Sequence, residues 1–273
     1  MKLSASNIAW PGNDVLCFLD CCADNGCKGV ELAINKIWNE PTMVDGKTIK
    51  SLTKAVNSRN LNMIGFHSLL YTRPDLKLFE SKYDFKKTSD YILLLGKLCK
   101  EMGGSQLVLG SPVNRQITKI EYSEAWNMAV EGFGILAEKL SKIEIKILIE
   151  ALRPIDTNFI VTLGQAIQLT NDVNHSNFRM VVDAGTTAAS KKDILDFPKI
   201  PIEYLEHFHV NDEGLTPPGT RTGYHNFFAD CLLKMDYSGY LSIEMLSPND
   251  SIDDLIRSFS FVKEKYCVGL LRK

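Results

Sequence analysis

Eight short apolar runs alternate with longer segments of helical periodicity from one end of the chain to the other, and few architectures accept that pattern. The runs are residues 3–10, 28–33, 62–70, 105–112, 146–154, 179–185, 204–212 and 240–246. They are rich in Val, Ile and Leu and bounded by Gly, Pro, Asn or Asp, as strands buried on both faces of a parallel sheet are. Between them lie amphipathic stretches such as 88–104 and 122–142. The first opens on Thr88, which can cap a helix, and closes on Gly103 and Gly104, which can stop one. Such alternation builds a parallel sheet with right-handed crossovers. An open doubly wound sheet usually carries a glycine-rich phosphate turn after its first strand, whereas that place here reads AWPGND. The expectation is an α/β fold, a closed (β/α)₈ TIM barrel. With no linker or low-complexity stretch, it forms a single domain over residues 1–273.

The composition suits a packed domain, with 45% hydrophobic and 23% charged residues. A net charge of -2 and the lack of a basic tract point to no nucleic acid and no membrane as partner. The N-terminal MKLSASNIAWPG has no apolar block of signal-peptide length. Four of the seven cysteines crowd into CFLDCCADNGC (Cys17, Cys21, Cys22, Cys27), a spacing unlike that of a structural zinc site. They read as reduced thiols along a buried helix face, which implies a cytoplasmic protein.

Four of the strands run into a residue able to bind metal: KILI into Glu150, RMVV into Asp183, EHF into His209 and YLSI into Glu244. The intervals are 33, 26 and 35 residues, each near the roughly 30 that one βα unit of a barrel takes. Taken singly, an acid after a strand is more often a turn-former, and a strand histidine a hydrogen-bonded core residue. Four in register on successive strands converge on one place at the C-terminal rim. Burying three carboxylates together without a cation is costly, so the set reads as a site for one divalent metal ion, Mn²⁺, Mg²⁺, Co²⁺ or Zn²⁺.

The segments LIEALRPIDTNF, MVVDAG, HFHVND and GYLSIEML resemble the xylose-isomerase-like barrel superfamily over the whole chain, most specifically over residues 146–246. That group includes ketose 3-epimerases, hydroxypyruvate isomerase, inosose dehydratase and an endonuclease that cuts DNA at abasic sites. The resemblance implies a divalent metal on Glu150, Asp183, His209 and Glu244, with Glu150 and Glu244 as the catalytic proton carriers. Such chemistry abstracts a proton next to a carbonyl and stabilises the enediolate charge on the metal. The expected activity is a sugar isomerase or epimerase acting on a sugar, sugar acid or sugar phosphate. A keto-inositol dehydratase, a hydroxypyruvate-isomerase-like enzyme and a non-catalytic sugar-binding barrel are the alternatives. Similar barrels often form homo-oligomers. Where many relatives carry a histidine three residues after the strand-6 aspartate, this chain has Thr186, and NDEG replaces an acidic stretch after His209. These departures, and strand 4 without a histidine, argue against DNA cleavage.

Substrate contacts are expected from rim residues. Arginine recognises carboxylate and phosphate in a planar, bidentate way, and Arg73, Arg115, Arg153 and Arg221 fall just after strand ends. Arg115 is the foremost candidate for an anionic substrate group. His67, at the end of strand 3, and His225 are further expected contacts. His207 shares a strand face with His209 one layer deeper, so it reads as core or support. Trp10 and Trp38 read as packing, and Glu31 as a residue able to position a neighbour.

Overall fold

The computed structural model of the chain describes residues 1–221, 223–247 and 251–267. The strands are β1 (Lys2–Ser6), β2 (Gly29–Ala33), β3 (Asn62–His67), β4 (Gln106–Leu109), β5 (Lys146–Glu150), β6 (Phe178–Asp183), β7 (Leu205–Val210) and β8 (Tyr240–Ile243). Each pairs in parallel with the next, and β8 returns to β1 in a register running from Lys2 opposite Tyr240 to Ala5 opposite Ile243. A helix follows each strand: α1 (Val15–Asp24), α2 (Gly46–Asn57), α3 (Lys82–Glu101), α4 (Tyr122–Ser141), α5 (Leu163–Val173), α6 (Lys191–Asp196), α7 (His225–Lys234) and α8 (Ile252–Val262). The closed (β/α)₈ barrel expected from the sequence is the fold found.

Local chemistry places the boundaries. Asp14, Asp45, Ser81, Thr162 and Ser251 precede α1, α2, α3, α5 and α8, and their side-chain oxygens accept first-turn N–H groups. Each such cap contributes about 1 kcal/mol. For α3 the cap is therefore Ser81 and not Thr88, which lies inside the helix and donates its hydroxyl to Lys77 O at 2.7 Å. β3 and β4 stop before their apolar runs do. Ser68 and Ser111 adopt positive φ, 53° and 44°, and turn the chain off the barrel wall. The cysteines do not share one buried face. α1 buries Phe18, Leu19 and Cys22, while Cys17 is exposed and Cys27 is buried beyond the helix end. No helix among the described residues is long and apolar enough to cross a membrane.

Two cores follow from the alternation of strand side chains. The large one fills the space between wall and helices; there Phe133 of α4 stacks on Phe178 of β6 with ring centroids 5.2 Å apart. The small one, Val108, Leu148 and Val181, lies inside the barrel. Residues two apart on a strand share a face, so Leu148, Val181, His207 and Ser242 sit one layer below Glu150, Asp183, His209 and Glu244. The barrel interior is thus apolar beside β4–β6 and polar beside β7, β8 and β1, where His207, Ser242 and Ser4 are fully buried.

Candidate active site

β5, β6, β7 and β8 bring Glu150, Asp183, His209 and Glu244 together at the C-terminal mouth, all four buried. One ligand atom from each lies within 4.8 Å of the other three. His209 Nδ1 is 2.8 Å from Glu244 Oε2 and 3.7 Å from Glu150 Oε1. Despite those distances it has no hydrogen-bond partner of acceptable geometry. A buried ring nitrogen aimed among carboxylates, with no proton acceptor properly placed, suits a cation. One imidazole and three carboxylates form a donor set typical of divalent transition metals.

The charges respond to this crowding. Burial, then the neighbouring Glu150 and Glu244, pushes the Asp183 carboxyl up to about 6. Burial acts the same way on Glu244, but the charge of His209 and the contact with His67 outweigh it and hold that carboxyl well below the usual range. The reciprocal effect raises His209: burial disfavours its charged form, and Glu244 and Glu31 more than compensate.

Neighbouring groups fix each side chain. Asp183 Oδ1 accepts the Thr186 N–H at 2.7 Å, and Oδ2 accepts from Asn211 Nδ2 at 2.5 Å. Asn211 also donates to Glu244 O and accepts the Gly185 N–H, stitching together the ends of β6, β7 and β8. Glu244 Oε1 meets His67 Nδ1 at 2.9 Å, and the far nitrogen of His67 meets Ser6 Oγ at 2.6 Å. Glu150 lies over Gly110, where a Cβ would come within 2.5 Å of Glu150 Oε2. Any larger residue would make the carboxylate shift.

A cavity of about 410 Å³ opens above the cluster, and Glu150, Asp183, Glu244, His67, Arg153 and Thr186 line it. Of the residues expected to contact substrate, His67 and Arg153 therefore line the cavity, Arg153 donating from Nε and Nη2 to the two oxygens of Asp156 at 2.8 and 3.1 Å. Arg115 is placed differently from the sequence expectation. It is fully buried outside the cavity, with Nη1 donating to Glu150 O at 2.7 Å and Leu109 O at 3.5 Å, and Nη2 donating to Ile160 O at 3.3 Å. Burial pulls its pKa down to about 10. Its donors serve backbone carbonyls at the ends of β4 and β5, so it ties the wall together and does not line the cavity.

His225 is also turned away from the cavity. It bridges Asp212 Oδ1 at 2.8 Å and Tyr266 OH at 2.6 Å. Arg221 is exposed outside the cavity and gives its backbone N–H to Asp212 Oδ2. Arg73 pairs with Asp75. Sequence reasoning missed Asn211, Ser6 and Gly110. Asn211 stands two residues after His209 and so on the same strand face, a signal that could have found it. For Ser6 and Gly110 only the fold reveals the partner.

The chain belongs to the xylose isomerase-like TIM barrel family, whose model matches residues 19–265. Solved structures share its fold over nearly the whole length at low identity. D-psicose 3-epimerase from Clostridium cellulolyticum H10, crystallised with D-tagatose, superposes with a TM-score of 0.82 at 14% identity, covering 97% of this chain and 99% of that one. The 3-keto-D-glucoside 4-epimerase of E. coli gives 0.80 at 15% identity, with coverage of 97% and 99%. The IolI protein with a zinc atom gives 0.78 at 18% identity, again covering 97% and 99%. No curated protein matches the sequence.

Proposed function

We propose that the protein is a divalent-metal-dependent sugar isomerase or epimerase that moves a proton on the carbon next to a carbonyl. The observation that carries this reading is the convergence of Glu150, Asp183, His209 and Glu244 on one point under an open cavity. Sugar epimerases among the structures of like fold support it. A divalent ion held by these four residues would polarise the substrate carbonyl and stabilise the charge of the enediolate. The chain's own residues do the rest. Glu150 and Glu244 stand on strands separated by β6 and β7, so one carboxylate can take the proton and the other return it from a different side. His67 and Ser6 hold Glu244 in place, and Asn211 orients Asp183.

Lining residues also narrow the substrate. Arg153 is the one Lys or Arg among the described residues facing the cavity, and Asp156 already neutralises it. With Arg115 turned away, an uncharged sugar fits better than an acid or phosphate. The test is metal analysis followed by a ketose screen in D₂O. Wild type should hold about one divalent ion per chain, lost in Glu150→Gln/Asp183→Asn, and the product should gain deuterium at the epimerised carbon. Glu244→Gln should reduce turnover about 10²–10⁴-fold. Absence of metal after incubation with Mn²⁺, Co²⁺ and Zn²⁺ would sink the proposal.

A further inference from the structure

Below the four-residue cluster lies a carboxylate that the proton transfer does not use. Glu31, on β2, is 1% exposed, inside the barrel and out of reach of any substrate in the cavity. Its Oε1 is 3.2 Å and its Oε2 3.4 Å from His209 Nε2, and Oε2 is also 3.2 Å from Nε2 of the fully buried His207. A lone buried carboxylate is costly in so dry a place. Here two imidazoles stand beside it, with the hydrogen bond running between His209 Nε2 and Oε2 and His207 Nε2 within ion-pair distance. His209 therefore has two different edges. Nε2 faces the oxygens of Glu31 beneath it, and Nδ1 faces Glu244 and Glu150 above.

An imidazole that donates one ring N–H to a carboxylate has its other nitrogen free as a lone-pair donor, its ring plane fixed and its basicity raised. We propose that Glu31 is a positioning residue for the metal centre: its Oε2 accepts the Nε2–H of His209 and so commits Nδ1 to the cation side, while His207 Nε2 lies 3.2 Å from the same oxygen. The assignment rests on the metal-dependent reading above. It also explains why β7 carries histidine at both inward positions. The upper one is presented to the ion, and the lower one lies within ion-pair distance of the carboxylate that presents it.

The test uses the full chain labelled with ¹⁵N-histidine and loaded with Zn²⁺, which is diamagnetic. In wild type, long-range ¹H–¹⁵N spectra should show His209 protonated on Nε2 only, with that proton shielded from exchange. In Glu31→Gln the zinc dissociation constant, read by competition with a chromophoric chelator, should rise about 10–100-fold. His209 protonated on Nδ1 in the wild-type zinc form would overturn the assignment whether or not the variant folds. So would a folded Glu31→Gln protein that binds zinc within twofold of wild type. A wild type that takes up no zinc overturns the metal reading itself, an outcome distinct from either of these.

Discussion

The two glutamates at the cavity are supported in opposite ways. At the β8 end, Glu244 is held by its side chain, one oxygen on His67 and the other against His209. At the β5 end, Glu150 is held through its backbone, by Arg115 donating to its carbonyl, and its carboxylate rests in the space left by Gly110. The first carboxylate is gripped by charge and the second is placed by packing. The symmetrical roles proposed for them do not require symmetrical construction, and each end should fail in its own manner.

The largest effect is expected from Arg115→Ala. It removes a fully buried side chain and its bonds to the carbonyls of Leu109 and Glu150, while Ile160 O keeps the Leu152 N–H, a loss of about 3–5 kcal/mol from the void and the lost hydrogen bonds together. Urea unfolding measures it. A variant as stable as wild type would show that the β5 end is not held through this guanidinium.

Next comes the pH response of Asp183, which both ends influence. With its carboxyl raised to about 6 from 3.8, the metal-free folded state binds a proton there more tightly than the unfolded chain. This contribution to stability is present below about pH 4 and lost as pH rises through about 6, a swing on the order of 3 kcal/mol. Metal binding has the opposite sign, because the proton must leave: affinity should fall about tenfold per pH unit below 6. Urea midpoints of metal-free wild type and Asp183→Asn at pH 4.5 and 7 check the first part. Equal pH dependence in the two proteins would refute it.

Gly110→Ala sharpens the contrast at β5. Its Cβ would crowd Glu150 Oε2, so metal affinity should weaken about tenfold, equivalent to about 1.4 kcal/mol, without a matching change at Glu244. Metal titration decides this, and unchanged affinity would mean that the Glu150 carboxylate does not need the space. The smallest effect belongs to Arg221→Ala, whose exposed side chain lies outside the cavity. Less than about 0.5 kcal/mol in stability and less than twofold in KM are expected. A large KM change would place the loop after β7 over the substrate.

Much of this was legible in the sequence because it depends on period. A parallel strand shows as a continuous apolar run, and the last inward residue of each run is the rim residue, which is how Glu150, Asp183, His209 and Glu244 declared themselves. Direction was harder to read. Arg115 and Arg153 both follow a strand end, yet one is turned inward onto carbonyls and the other faces the cavity. The loops that carry them turn through left-handed residues at Ser111 and Ile160, which no hydrophobic pattern announces. Pairings across the barrel, such as Ser6 with His67 or Glu31 with His209, join residues 61 and 178 positions apart and emerge only when the ring closes.

That closure has a consequence for how the protein is made. β1 and β8 meet across the widest separation in the barrel; Ser4 Oγ donates to Leu241 O, 237 residues along the chain. During synthesis the first strand must wait, unpaired on one edge, until the eighth has been translated, and contacts of such long range form slowly. Glu244 arrives with that last strand, and its support from His67 leans on Ser6 of the first. Under the proposed metal site, the set of four ligands is complete only at ring closure, and the exposed β1 edge before that moment is where misassembly has its best opportunity.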